Sequence, residues 1–232
     1  MIEVNNVSFK YEDEIVLKNI SLKIKEGSFT AVIGSNGCGK TTLAKHLNGI
    51  LTPAKGDVIV DGFSTKHSSF ETRKRVGFVF QNFEDQLVYS IADEDVAFGL
   101  ENLGIGADEI KRTVNETLRS LKIENLQKRN VNTISQGQKQ LVALAGVLAM
   151  NPKYIVFDEP TTMLDVKNKK NILKMIYDLN KKNNIAIVLV TNVLDDLKYA
   201  DRIVLMKEGR VIFNDKKLAL KKRLLQEAGL ID

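Results

Sequence analysis

Between an apolar run, Phe29 to Ile33, and a stretch of helical pattern, Thr42 to Leu51, stands Gly34-Ser35-Asn36-Gly37-Cys38-Gly39-Lys40-Thr41. The spacing is G-x-x-x-x-G-K-[ST], and its chemistry is phosphate binding. Glycines let the backbone wrap inward so that successive N–H groups and a helix N-terminus point at an anion. Lys40 then reaches the terminal phosphates, and the Thr41 hydroxyl is placed to ligate Mg²⁺. Cys38, inside the loop, reads as a tolerated small residue rather than a redox centre. A second, acidic group belongs on a neighbouring strand. Tyr154-Ile155-Val156-Phe157 ends in Asp158-Glu159, at the carboxyl end of a strand, where α/β proteins bind ligands. Asp158 suits the metal, directly or through water, and Glu159 suits a general base or an orienter of an attacking water. Between the two sites stands Ile134-Ser135-Gln136-Gly137-Gln138-Lys139-Gln140, ahead of a small-residue helix. Ser135 with Gly137 at a helix start makes a second anion nest, too far along the chain to share the first loop's phosphate easily.

The elements that must carry these residues follow from periodicity. Ile20, Leu22 and Ile24 alternate with Ser21, Lys23 and Lys25 before the turn pair Glu26-Gly27, the period-two pattern of a half-buried antiparallel strand. Phe29 to Ile33, Val76 to Phe80, Tyr154 to Phe157, Ile185 to Val190 and Ile203 to Met206 are instead short unbroken apolar runs. Such runs suit parallel strands covered on both faces. Asp165 to Lys182 is helical in pattern, with Asp165 as its cap and Ile172, Ile176 and Leu179 on one face. The alternation predicts an α/β fold: a core with a parallel sheet, an N-terminal antiparallel β part and an inserted helical lobe over about 83–149. The whole of 1–232 reads as one domain, with a short C-terminal tail from about 214.

Composition bounds the function. The 232 residues are 44% apolar and 27% charged, with 15 Gly and 3 Pro, which excludes disordered, collagen-like and fibrous classes. Cys38 alone forms no internal disulfide, so a reducing compartment is expected. The N-terminus lacks the basic start and apolar run of a secretory signal. The longest uncharged apolar run, Leu141 to Met150, is half the roughly 20 residues that span a bilayer, so membrane association is expected through a partner. The net charge is +5, and the basic residues crowd at Lys167 to Lys174, Lys181-Lys182 and Lys216 to Arg223, which read as solvated helix faces. With 6% aromatic residues and no Trp, the basic-aromatic clusters of single-strand nucleic-acid binders are missing, and no nucleic-acid partner is expected.

The Ser-x-Gly-Gln segment, lying between the phosphate loop and the Asp-Glu strand, resembles the Leu-Ser-Gly-Gly-Gln signature of the ATP-binding cassette (ABC) ATPases. The resemblance extends over nearly the whole chain. It implies ATP and Mg²⁺ as ligands and a P-loop ATPase core. It also implies a head-to-tail dimer in which Ser135, Gly137 and Gln138 close on the nucleotide held by the other subunit through Gly34, Ser35, Asn36, Gly37, Cys38, Gly39, Lys40, Thr41 and Thr42. Tyr11 falls where an aromatic stacks on adenine in that family, with an exposed strand-edge Tyr as the alternative. Gln81 is similar to the switch glutamine that touches Mg²⁺ and the water. Thr162-Met163-Leu164-Asp165 resembles the loop that addresses the opposite site, and Lys207-Glu208-Gly209-Arg210 the hairpin after the last core strand. The segments 81–86, 95–102, 145–150 and 224–230 are similar to the ATPase components of energy-coupling factor transporters, which import vitamins or cobalt and nickel ions. That likeness implies a transmembrane coupling protein and a substrate-binding membrane component as partners, with the ATPase peripheral on the cytoplasmic face.

Two positions depart from the family pattern. Where the family has Thr-His-Asp, with the His on the γ-phosphate, this chain has Thr191-Asn192-Val193. Asn192 retains one neutral donor and no charge; His46 and His67 do not replace it by position. Gln136 stands where the signature has Gly, beside a backbone meant to approach phosphate closely. The expectation is an ATPase with catalytic residues Glu159, Gln81, Lys40 and Asn192 and metal-binding residues Thr41, Gln81 and Asp158. A heterodimer with unequal sites is favoured over a homodimer. The rival expectation is a nucleotide-binding regulatory or structural clamp subunit with little hydrolysis, and a third is an ABC-type ATPase of nucleic-acid machinery, against which the missing basic-aromatic clusters count.

Overall fold

The protein is described here by a computed structural model covering residues 1–162 and 164–231. In chain order the elements are β1 (Ile2–Tyr11), β2 (Glu14–Ile24), β3 (Phe29–Ile33), α1 (Lys40–Leu47), β4 (Lys55–Val60), β5 (Phe63–Ser64), α2 (Ser69–Arg75) and β6 (Val76–Val79). They continue with α3 (Ala92–Asn102), α4 (Ala107–Ser120), α5 (Gln136–Ala149), β7 (Tyr154–Asp158) and α6 (Val166–Asn183). The chain closes with β8 (Ala186–Thr191), β9 (Arg202–Lys207), β10 (Arg210–Lys216) and α7 (Lys222–Glu227).

The strands form two sheets. The larger runs β10-β9-β3-β8-β7-β6 and is parallel except for its edge strand β10. The smaller, β2-β1-β4-β5, is antiparallel. The unbroken apolar runs have the cause expected of them. Along the central strands Val32, Val156, Val188, Val190 and Val204 turn to one cluster, with α1 and the small sheet. Ala31, Ile33, Ile155, Phe157, Ile187, Leu189, Ile203 and Leu205 turn to the other, beneath α6. Both faces are dry, so both alternating sets must be apolar. In the small sheet Ile20, Leu22 and Ile24 are buried and the residues between them are exposed.

Between β6 and β7, helices α3, α4 and α5 enclose a cluster of their own that includes Val96, Leu100, Leu118, Val142 and Ala145. Helix α5 is shared: its Leu144 and Val147 pack instead on the large sheet. Asp165 caps α6, accepting from the backbone N–H of Lys167 and Asn168 at 2.9 and 3.0 Å. The helix after the phosphate loop is shorter than its pattern. It ends at Leu47 because Gly49 turns left-handed at φ +73°. At the other end β10 continues through Asn214 to Lys216, and Leu224, Leu225 and Leu230 fold back on the core beneath α6. Among the described residues no helix is long and apolar enough to cross a membrane.

Candidate functional site

The phosphate loop is held from below by the β9–β10 hairpin. The Gly209 N–H donates to Cys38 O at 3.1 Å, and the Lys18 N–H to Gly209 O at 2.8 Å. Gly39 has to be glycine: its φ is +101°, and a Cβ would stand 2.9 Å from Leu17 Cδ2 and 3.0 Å from Val16 O. Gly39 is also the N-cap of α1, where no side chain caps the helix and no acidic residue lies in the first turn. Orphan N–H groups are thus left facing outward, which is what an anion requires. Lys40 is buried and donates to Gly34 O and Ser35 O at 2.9 and 3.0 Å. Cys38 is buried against the core, and burial raises its thiol pKa more than Lys40 lowers it. That fits a packing role.

The acid pair sits where β7 ends. Asp158 pairs with Val190 of β8 in the ladder, and the Glu159 N–H donates to Val190 O at 2.9 Å. Glu159 itself adopts φ +47°, a left-handed conformation uncommon outside glycine, which turns its side chain out of the sheet line. The Thr41 hydroxyl donates to Asp158 Oδ1 at 2.9 Å. Burial raises the Asp158 pKa, the Thr41 hydrogen bond opposes that rise, and the neighbouring Glu159 adds to it. Gln81, just beyond β6, donates from Nε2 to Glu159 Oε2 at 3.2 Å, and the Thr162 hydroxyl donates to the same oxygen at 3.2 Å. Asn192, just beyond β8, donates from Nδ2 to Asn36 Oδ1 at 2.8 Å. Lys40, Thr41, Gln81, Asp158, Glu159 and Asn192 therefore gather at the carboxyl edge of one sheet.

Of these, Lys40, Thr41, Gln81 and Glu159 line a cavity of about 410 Å³ together with Asn36, Gly37, Gly39 and Thr42, with Val16 as the apolar wall. A larger cleft, about 1420 Å³, lies between α4 and α6, away from the phosphate loop and the acid pair. Among the described residues no three His, Cys, Asp or Glu side chains cluster as a self-sufficient metal site. The donor set fits Mg²⁺ all the same: a hydroxyl and a carboxylate, both oxygens, leave the remaining positions to phosphate and water.

Other expected residues lie elsewhere. Tyr11, 45% exposed, is not part of the cavity wall; its ring meets Phe9 edge-on at 4.9 Å. Ser135, Gly137 and Gln138 are also apart from it. Ser135 caps α5 in a reciprocal box: the Gln138 N–H donates to Ser135 Oγ at 3.4 Å and the Ser135 N–H to Gln138 Oε1 at 3.0 Å. Gln136 turns its side chain away from that helix start and donates from Nε2 to Glu84 Oε1 at 3.2 Å, where Lys139 also pairs. Met163, of the expected loop 162–165, falls outside the described residues. His46 is buried, with Nδ1 2.7 Å from Thr42 O and its ring on Phe9, and His67 is exposed. Sequence reasoning missed Val16, since an apolar strand residue gives no sign that it walls a ligand site. It also missed Gln140, whose Nε2 donates to Pro160 O at 3.0 Å.

Comparison with known proteins shows the family and the fold. The sequence model described as "ABC transporter" matches residues 17–162. The chain is 44% identical over 238 residues to the energy-coupling factor transporter ATP-binding protein EcfA1 of Clostridioides difficile (strain 630), covering 99% of this chain and 86% of that protein. The structure of cbiO1 from Clostridium perfringens, described as part of the ABC transporter complex cbiONQ, superimposes with a TM-score of 0.85 at 35% identity, covering 99% of this chain and 94% of that one. The ATP-binding cassette MJ0796, solved as a dimer in a post-hydrolysis state bound to ADP and Pi, superimposes with a TM-score of 0.82 at 31% identity over 93% of this chain and 98% of that one.

Proposed function

Because the chain belongs to the ABC transporter ATPases, within the branch of energy-coupling factor ATP-binding proteins, we propose that it binds and hydrolyses ATP to energise a membrane importer of that type. The observation that carries this is the Thr41–Asp158 hydrogen bond, which joins the phosphate loop to the acid pair across 117 positions of sequence at 2.9 Å. The N-terminus of α1 and Lys40 would cradle the phosphates, and Thr41, Asp158 and Gln81 would hold Mg²⁺, which neutralises charge on the phosphate oxygens when bound. Lys40 exchanges its two carbonyl acceptors for phosphate oxygens, a charge-assisted and stronger bond. Glu159 accepts a proton from the attacking water, and Gln81, already bonded to Glu159, fixes that carboxylate in orientation.

The capped start of α5, apart from the cavity within one chain, suits a head-to-tail dimer in which it closes on a partner's nucleotide. Asn192 supplies a neutral donor at its own site, and Gln136 a changed signature to the partner's. That split favours an unequal heterodimer, in which the damage is divided between two sites. The membrane partner is a transmembrane coupling protein with its substrate-binding component, engaged from the cytoplasmic face, and the cargo is a vitamin or a transition-metal ion. Asn192 is also the observation that favours a second reading, a nucleotide-binding clamp with little turnover.

Phosphate release from MgATP, measured over a range of protein concentrations beside Lys40→Ala, tests the proposal. Turnover that rises more than linearly with concentration and disappears in Lys40→Ala is expected of a dimeric ATPase. ATP binding without turnover, both alone and with a second ABC ATPase, would overturn hydrolysis and leave the clamp.

A further inference from the structure

The loop that carries Glu159 and the loop that carries Asn192 are fastened to one buried carboxylate. Asp196, in the 3-10 turn Leu194–Tyr199, is 0% exposed. Its Oδ2 accepts from the Thr161 hydroxyl at 2.5 Å and from the Thr191 hydroxyl at 2.8 Å. Lys169, in the first turns of α6, places Nζ 3.0 Å from Oδ1. Both threonines are buried too. Thr161 stands two residues after Glu159, and Thr191 immediately before Asn192; the Val193 N–H returns to Thr191 Oγ1 at 3.0 Å. From the opposite side Gln140 of α5 holds Pro160 O.

Three polar side chains and a lysine meet where apolar residues would fill the space without desolvation cost, and a buried charge is retained only when its partners are in place. Here Oδ2 takes both threonine hydroxyls while Oδ1 faces the Lys169 ammonium, and a network gathered on one carboxylate has few alternative arrangements. We propose that Asp196 is a positioning residue for hydrolysis. By holding Thr161 and Thr191 on a single oxygen, it makes the Glu159 loop and the Asn192 loop one unit, so the water-orienting carboxylate and the Asn192 carboxamide keep a fixed spacing across the nucleotide. This rests on the hydrolytic reading above. It assigns a role to residues that touch neither nucleotide nor metal.

The test uses the full chain with Asp196→Asn, which keeps the shape, and with the near-isosteric Thr161→Val and Thr191→Val. Since a misplacement of about 1 Å costs on the order of 10²-fold in rate, each variant should lose roughly 10- to 100-fold in kcat while its ATP Kd stays within about twofold. A merely structural role would weaken both together. Amide hydrogen exchange gives an arm independent of turnover: Thr191→Val should speed exchange at residues 161 and 162, and Thr161→Val at 192–194. Exchange changes confined to the mutated loop, an unchanged kcat, or a Kd that rises as kcat falls would each overturn the proposal. If the wild type binds ATP without turnover, the hydrolytic reading fails, and the exchange arm still decides whether Asp196 couples the loops.

Discussion

Asn192→His restores the donor type that the family pattern has at the end of β8, and its effect can be worked from the site. The Asn192 carboxamide is neutral and already committed to Asn36 Oδ1 at 2.8 Å. A single preorganised donor aimed at developing charge is worth about 2.7–4 kcal/mol in an active site, and a donor able to carry charge makes bonds roughly twice as strong as a neutral one. Against that gain, the replacement gives up the Asn192–Asn36 hydrogen bond, worth about 1 kcal/mol net. The balance, about 2–3 kcal/mol, is roughly a 30- to 160-fold rise in kcat. The assay is MgATP turnover at saturating nucleotide, at several protein concentrations, alone and with a second ABC ATPase. A variant that binds ATP as the wild type does but turns over within twofold of it would refute the reasoning, because the donor at 192 would then not limit the reaction. A gain seen only with the second subunit present would place the handicap in this chain's own site of an unequal dimer.

Two further predictions concern stability and reactivity. Cys38 is buried and its thiol pKa is raised, chiefly by desolvation, so the thiolate is scarce. Alkylation by iodoacetamide at pH 8 should run at least about tenfold slower in the folded chain than in urea, and reaction at the unfolded rate would contradict the packing role. Burial alone would raise the Asp61 carboxyl, but hydrogen bonds from the N-terminal ammonium, Tyr154 and Lys153 hold it down to about 2, with Tyr154 at 2.8 Å. A depressed carboxylate stabilises the fold fully above its ordinary value near 4, and that contribution is lost as pH falls through about 2. Asp61→Asn should therefore flatten the fall of Tm between pH 4 and pH 2, and an unaltered acid limb would show that this cluster does not govern it.

Much of this protein was legible in the sequence, for local reasons. The phosphate loop is contiguous, and its glycines, lysine and threonine act through backbone conformation and a helix start that their own spacing sets. The strands declared themselves because a parallel sheet buried on both faces forces both alternating sets of residues to be apolar, as in Ile185 to Val190. Asp165 announced the start of α6 because a cap bonds within three residues. The tertiary structure alone decided which polar groups meet. Thr41 with Asp158, Gln81 with Glu159, Asn36 with Asn192, and Thr161 and Thr191 with Asp196 are hydrogen bonds between side chains whose partners lie on other strands or loops. No periodicity encodes them, since a polar residue at a strand end has the same pattern whether it faces water or a partner. Gln136 shows the same limit: by its type it would crowd a phosphate, yet the fold gives its amide an acceptor on Glu84. Sequence set which chemistry was available, and the crossing of strands at one sheet edge set which groups could perform it together, because hydrogen bonds need a few ångströms of space and not a spacing in the chain.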